Sequence, residues 1–281
     1  MIRLWWIIGA AAAAAVGMAA WMVVEAYRCR VIREEVHLTR LPLSFDGLRL
    51  LFISDIHRRT IPERLVNAIL EAGGADLVCI GGDLKEGGVP LERSRANVRM
   101  LSRIGPVYAV YGNHDYDEPR GPLDALLREE GVRPLVNEFI MLSRPDGSHI
   151  KLCGLDDPIT GRARLAQALH KGQGNGEAPF TLLLSHDPNI LSRLKGADVD
   201  LILAGHTHGG QITLPIYGPL LRSPEILTYL SGWHEAVNEQ TSLTTRLYVS
   251  TGFGTSKLPI RFGAPAESKL FILRSADHPG A

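Results

Sequence analysis

Five apolar runs in this chain each end in polar residues drawn from the same short list. "LLFIS" is followed by Asp55 and His57, "DLVCIGG" by Asp83, "VYAVYG" by Asn113 and His114, "FTLLLS" by His186, and "VDLILAG" by His206 and His208. Short, nearly continuous apolar runs are the pattern of strands buried on both faces. Amphipathic helical stretches lie between several of them, "PERLVNAILEAGG" with Pro62 near its start and "PLERSRANVRMLSRI" further on, and such alternation predicts a layered α/β fold. In open α/β sheets ligands bind at the carboxyl ends of the strands. If these five strands are neighbours, their polar ends converge on one rim, and few other folds accommodate that.

The remaining strand signals enlarge the sheet count. "YRCRVIREEVHLT" reads as a strand and "LPLSFDG" as a loop; "EFIML" and "HIKLCGL", separated by "PDGS", read as a hairpin; "TRLYVST" and "SKLFIL" come near the end, after a short helix "PNILSRL". A single sheet of more than about 10 strands is unusual, so two packed sheets with flanking helices is the expected architecture. "KGQGNGEAP", residues 171–179, reads as a surface loop rather than a boundary.

The amino terminus is of another kind. "LWWIIGAAAAAAVGMAAWMVV", residues 4–24, has no charged residue over the roughly 20 residues a membrane helix needs. It is a membrane segment or a signal peptide. Trp5, Trp6 and Trp21 near its ends suit a retained helix, whereas "GMAA" offers a small-residue cleavage site; retention is the expectation. Arg3 precedes the segment and Arg28, Arg30 and Arg33 follow it, so the positive-charge rule does not set its orientation. The expected division is a membrane helix or signal anchor over 1–26, a connecting strand and loop over 27–47, and one large domain over 48–281.

Lysine plus arginine equals aspartate plus glutamate at 30 each, and no basic stripe interrupts the chain. Non-specific nucleic-acid binding gets no support from this. Cys29, Cys79 and Cys153 are far apart without paired spacing, and read as small hydrophobes rather than a disulfide framework or zinc knot.

Asp, His and Asn without a thiolate suit divalent Mn, Fe, Zn, Co or Ni. Seven candidates, Asp55, His57, Asp83, Asn113, His186, His206 and His208, are too many for one tetrahedral zinc. They suit two ions about 3.5–4 Å apart sharing a carboxylate. Asp83, alone at its strand end behind Gly81 and Gly82, is the choice for the shared ligand, because glycine lets the backbone come close.

The blocks "SDIH", "GGDL", "YGNHD", "LLLSHD" and "AGHTHGG", in this order, resemble the calcineurin-like metallophosphoesterases, over residue 48 to the end. The resemblance implies a four-layer α/β/β/α sandwich. It further implies that Asp55, His57 and His208 hold one ion, Asn113, His186 and His206 the second, and that Asp83 bridges. His114 would face the substrate phosphate and protonate the leaving oxygen or stabilise the developing charge, Asp115 would orient His114, and a hydroxide bridging the ions would attack. The tail "GHTHGGQITLP" followed by "STGFGTSKLPIRFGAPAE" is similar to a subgroup of small membrane-associated or exported bacterial phosphoesterases, one of whose members hydrolyses UDP-diacylglucosamine in lipid A synthesis. A lipid-linked or small phosphorylated substrate and an extracytoplasmic catalytic domain are the matching expectations; nuclease or cyclic-nucleotide phosphodiesterase activity and a non-catalytic membrane scaffold are the alternatives. The oligomeric state is left open. Purple acid phosphatases carry a tyrosine where this chain has Glu86, which argues against a coloured ferric centre.

Outside these blocks, Arg58 and Arg59 are candidates for contact with a phosphate, with surface solvation the competing reading. His37, His149, His170 and His234 lack any motif and read as packed or solvated residues. Trp233 and Tyr229, in the insertion after the histidine pair, suit a cover over the site or a dip toward lipid, and core packing explains them about as well.

Overall fold

Alternate residues along each central strand face opposite layers, and this sorts the apolar side chains into three separate cores. In the computed structural model, which describes residues 2–170 and 178–276, the strands in chain order are β1 (Val31–Leu38), β2 (Leu48–Ile53), β3 (Leu77–Gly81), β4 (Val107–Val110), β5 (Arg133–Pro134), β6 (Glu138–Ser143), β7 (His149–Gly154), β8 (Thr181–Leu184), β9 (Leu201–Ala204), β10 (Thr213–Leu214), β11 (Gly218–Pro219), β12 (Gly232–Val237), β13 (Thr244–Val249) and β14 (Ser268–Ser275). One six-stranded sheet has the order β1-β14-β2-β3-β4-β5, the other β12-β13-β9-β8-β7-β6, and β10 and β11 form a two-stranded pair. The strands that carry the candidate residues, β2, β3 and β4 in one sheet and β8 and β9 in the other, run parallel to their neighbours in this set. Their carboxyl ends therefore lie at a common edge of each sheet, which is the geometry that gathers the polar termini.

Leu50 and Phe52 of β2, Cys79 of β3, Leu182 and Leu184 of β8, and Leu201 and Leu203 of β9 fill the core between the two sheets. Their sequence neighbours Leu51, Ile53, Val78 and Ile80 face outward to Leu65, Val66 and Ile69 of α2 (Glu63–Glu71), Val98 and Leu101 of α3 (Leu91–Ser102), and Leu123, Leu126 and Leu127 of α4 (Gly121–Glu129). On the far side, Leu183, Ile202, Leu247 and Val249 pack on Ala168 of α5 (Leu165–Ala168) and on Ile190 and Leu191 of α6 (Ile190–Arg193). Three cores separate four layers, so the expected α/β/β/α sandwich is the observed one. Cys79 and Cys153 are buried within it as small hydrophobes. The β6–β7 hairpin closes through Arg144 to Ser148 as expected. The reading of residues 171–179 as a loop falls mostly on residues outside the described part.

Helix α4 was not part of the sequence expectation. Helix α4 is short and starts with Gly121-Pro122, yet proline in the first turn is a helix-start signal and the Leu123, Leu126, Leu127 spacing gives it a buried face. Trp233 does not cover the site: it sits on β12 with its ring 5.1 Å from Tyr248 and 5.7 Å from Phe271, and its indole N–H donates to Glu34 at 2.6 Å. Tyr229 packs with the outer core of the second sheet.

The amino-terminal helix α1 (Ile2–Ala26) carries the apolar span Arg3–Ala26, with a mean hydropathy of 2.1, and is exposed along most of it. It is long and apolar enough to cross a membrane. Only its last turns touch the rest of the chain. Trp21 packs edge-on against Phe262 at 5.5 Å, the Arg261 backbone N–H donates to the Met22 carbonyl at 3.0 Å, and Glu25 and Ala26 are buried.

Candidate metal centre

The polar residues at the strand ends leave the sheets through backbone turns that ordinary residues avoid. Asp55, His57, Asp83, His206 and His208 all have positive φ, between 50° and 73°. Left-handed backbone costs a non-glycine residue on the order of 1 kcal/mol or more, and Asp, Asn and His tolerate it best. Turning left-handed at residues i and i+2 lets two side chains of one segment, such as His206 and His208, enter the same space. The space itself is kept by glycines. A Cβ on Gly112 would lie 2.3 Å from Asp83 Oδ1, and one on Gly205 would lie 2.5 Å from Asp55 Oδ2.

Two groups of potential ligand atoms result, Asp55 with His57 and His208, and Asp55 with Asp83 and His186. His57 Nε2 and His208 Nε2 face each other at 3.1 Å, the spacing expected of two nitrogens each about 2.0–2.1 Å from one ion. Asp55 Oδ1 lies 3.5 Å from His208 Nε2 and 4.0 Å from His186 Nε2. Asp83 Oδ2 lies 3.2 Å from His186 Nε2 and 3.6 Å from His57 Nε2. Both carboxylates thus reach members of both groups, with Asp55 as much a shared residue as Asp83. His206 stands beside these groups, its ring 5.2 Å from that of His186; Asn113 Oδ1, just past the end of β4, is buried without a hydrogen-bond partner, as is His186 Nε2. Buried polar atoms rarely go unpartnered. Here the orphaned atoms are an oxygen and a nitrogen of the kinds that bind divalent cations, so the residues fit such ions.

The electrostatics agree. Burial opposes ionisation of Asp83, but His186, His57 and His114 outweigh it and hold the carboxyl well below its usual range. Burial likewise opposes charge on His57 and His186, yet Glu86, Asp83 and Asp55 push His57 up, and Asp83 and Asp55 push His186 well up. His208 is pushed well down by burial, then by His57 and Arg261. Two imidazoles whose Nε2 atoms face at 3.1 Å cannot both be imidazolium, and their shifts run in opposite directions. The carboxylates concentrate negative potential at one point, which draws cations there.

Supporting contacts fix the rings. His186 Nδ1 pairs with the Gly81 carbonyl at 2.8 Å, and His57 Nδ1 with Glu86 Oε2 at 3.2 Å. The His57 ring at this distance holds the Glu86 carboxyl at about 2, with Arg58 helping and burial opposing. The Asp83 and Asp55 carboxylates accept backbone N–H groups of His114 at 2.8 Å and His206 at 3.1 Å. Glu86 stands out in the sequence only by replacing a tyrosine of the purple enzymes; its contact to His57 carries no motif.

Asp115 does not orient His114: its carboxylate accepts the backbone N–H groups of Lys85 at 3.1 Å and Gly112 at 2.9 Å, and burial, then the charge of Asp83, raises it to about 7. The residue on the His114 ring is Asp117, with Oδ2 at 2.9 Å from Nδ1. His114 itself is at the rim, its ring 5.2 Å from that of His57. Arg58 is largely exposed and forms an ion pair with Glu86, so its charge is already compensated. Arg59 turns away from the site to the carbonyls of Phe253, Tyr27 and Arg28. Arg261, inside the "STGFGTSKLPIRFGAPAE" block but given no role there, is fully buried behind His208.

Comparison with known proteins bears on the same residues. The family profile described as calcineurin-like phosphoesterase matches residues 48–210. YpbG of Bacillus subtilis (strain 168) is 35% identical over 228 residues, covering 80% of this chain and 81% of that one. A Danio rerio protein named transmembrane protein with metallophosphoesterase domain is 32% identical over 270 residues, covering 88% of this chain but 58% of its own length. Among solved structures, a 5'-nucleotidase precursor from Thermus thermophilus shares the fold at a TM-score of 0.52 and 14% identity, over 80% of this chain and 54% of that chain. The profile begins at β2 and closes two residues past His208, so it contains all the strand ends from which the two ligand groups are built. This chain therefore belongs to the calcineurin-like phosphoesterase family and is a metal-dependent phosphoester hydrolase.

Proposed function

We propose that the chain hydrolyses a phosphate ester or pyrophosphate bond at a dinuclear centre in which Asp55, His57 and His208 hold one divalent ion, Asn113, His186 and His206 the other, and Asp83 bridges them. The observation that carries this reading is the position of Asp83 Oδ2, 3.2 Å from a nitrogen of one group and 3.6 Å from a nitrogen of the other. Two bound ions, drawn from Mn, Fe, Zn, Co or Ni, would supply Lewis acidity toward phosphoryl oxygens and a water of lowered pKa. His114, at the rim and hydrogen-bonded to Asp117, donates to the substrate phosphate or the leaving oxygen. Arg58 is available to the same phosphate only by sharing its charge with Glu86. A substrate attached to a lipid, such as UDP-diacylglucosamine, is the favoured class, supported by the apolar helix α1 next to the domain, which we read as a single membrane anchor with the domain on the extracytoplasmic face. The balanced charge of the chain speaks against a nuclease, which would need a basic path for the phosphate backbone. The test is a panel of phosphodiesters, nucleotide sugars and phospholipids, UDP-diacylglucosamine included, incubated with Mn-loaded full-length protein in lipid. Metal content near two per chain with no turnover on the whole panel would overturn the enzymatic assignment in favour of a scaffold.

Two substitutions probe the supporting residues. Glu86→Gln keeps the shape but removes the charge behind His57, and metal affinity by calorimetry should fall about 10–100-fold, as for other outer partners of ligating histidines. Because the Glu86 carboxyl is depressed from 4.5 to about 2, its contribution to the metal-free fold is complete above pH about 4.5 and is lost as pH falls toward about 2. Acid titration of the Glu86→Gln protein should lack that component. Asp117→Asn should lower kcat about tenfold with KM nearly unchanged, as expected for loss of an orienting partner to an acid–base histidine. A KM effect alone would remove Asp117 from the His114 pair's role.

A further inference from the structure

The segment that leaves the metal centre exposes large apolar side chains. Between His208 and α7 (Pro224–Thr228), the β10–β11 hairpin leaves Ile216 fully exposed, and Tyr217, Leu220 and Leu221 are 59%, 49% and 63% exposed. Leu258, on the neighbouring loop, is 59% exposed, and that loop is tied to the hairpin: Gln211 donates to the carbonyls of Ser256 and Leu258 at 3.0 Å, and the Thr213 N–H donates to the Phe262 carbonyl at 2.7 Å. Phe262 in turn packs on Trp21 of α1. An exposed apolar patch of this kind marks an interaction surface, and its position is set by α1. Trp21 lies three residues before Val24, the last residue of the uncharged run, or about 4.5 Å along the helix axis at the usual rise. The patch is therefore attached to the last turn of a helix fit to cross a membrane, at the depth where interfacial segments bury about 5–10 Å. Its charge pattern matches a bilayer surface. No carboxylate occurs in residues 201–224 or 240–266, while Arg222 and Lys257 flank the apolar residues, and Arg222 folds over the Tyr217 ring at 4.4 Å.

We infer that the β10–β11 hairpin, with Leu258, inserts into the headgroup and acyl boundary of the membrane that holds α1, so that the strap carrying His206 and His208 is seated at the lipid surface. A soluble protein partner would have to reach this patch in the plane of the headgroups. The lipid is already there. The inference rests on α1 lying in the bilayer but not on the dinuclear chemistry.

The test uses the full chain in nanodiscs of mixed neutral and anionic phospholipid, in a Cys29→Ser background, since Cys79 and Cys153 are buried. A polarity-sensitive fluorophore is attached at Ile216→Cys or Leu221→Cys, with Val16→Cys in α1 and the exposed Val237→Cys on β12 as references. Labels at 216 and 221 should emit as in an apolar medium and be quenched about twofold by lipids carrying a nitroxide near the headgroup, as for groups at interfacial depth. Water-like emission at 216 and 221 with apolar emission retained at 16 would overturn the inference. Apolar emission without nitroxide quenching would also overturn it, by assigning the patch to a second protein chain. Water-like emission at 16 as well would overturn the bilayer placement of α1 on which it rests.

Discussion

Asp83→Asn should lower kcat on a phosphodiester substrate by about 10³-fold or more, equivalent to about 4 kcal/mol of transition-state stabilisation, while leaving the fold nearly intact. The asymmetry of the carboxylate's surroundings is the reason. Oδ1 accepts the backbone N–H of His114 at 2.8 Å, and Oδ2 faces the ring nitrogens of His186 and His57. An asparagine keeps its carbonyl oxygen on the His114 N–H, so the amide nitrogen must occupy the Oδ2 position. There it presents hydrogens to the very point where negative charge is needed. Circular dichroism and the melting temperature should change little, metal analysis should show reduced occupancy, and turnover should disappear. Wild-type turnover in a metal-replete Asp83→Asn protein would end the assignment of Asp83 as a bridging ligand.

Arg261→Met should destabilise the protein by about 3–5 kcal/mol, the range seen when one partner of a buried charged network is removed, or about 10 °C in melting temperature for a chain of this size. The guanidinium is fully buried and donates to the carbonyls of Thr251 at 2.7 Å, Gly252 at 3.1 Å, Gly254 at 2.6 Å, Ala264 at 2.9 Å and His208 at 3.3 Å. Burial lowers its pKa to about 10, so it stays protonated at neutral pH. Methionine replaces much of the volume and none of the donors, leaving several buried carbonyls without partners. Arg261→Lys should recover only a small part of the loss, because one ammonium cannot span the fan of acceptors that a planar guanidinium serves. Differential scanning fluorimetry of the two variants decides the matter. Equal stability of the Arg261→Met and wild-type proteins would show that the loop holds its shape without the clasp.

What could be read from sequence follows from where information about the fold is stored. The apolar runs before Asp55, Asp83, Asn113, His186 and His206 specify buried parallel strands by their continuity, and parallel strands impose a common polar edge. The layered fold and the meeting of Asp55, Asp83 and His186 were legible for that reason. The partner of His114 was not. Residues 113–116 form a single tight 3-10 turn, in which side chains three apart are eclipsed and adjacent ones diverge. The neighbour Asp115 is thereby turned inward to the backbone of Lys85 and Gly112, and Asp117, three residues on, meets the ring. Glu86 and Arg261 act across distances of 29 and 53 residues from His57 and His208, and no local spacing encodes such contacts. The backbone conformation of the site was equally hidden, since nothing in "SDIH" or "GHTH" distinguishes a left-handed residue from an extended one.

Those left-handed residues bear on how such a chain can change over generations. Five of the positions that gather at the centre hold conformations that glycine would adopt without penalty. For the folded state alone, replacing His57, His206 or His208 by glycine relieves strain and removes a crowded, desolvated ring. Selection for stability and selection for chemistry thus pull these sites in opposite directions. A descendant released from catalysis would shed its histidines early and gain thermal resilience in doing so, whereas the Asp55 and Asp83 carboxylates, each bonded to a backbone N–H of a neighbouring loop, would persist longer as structural remnants.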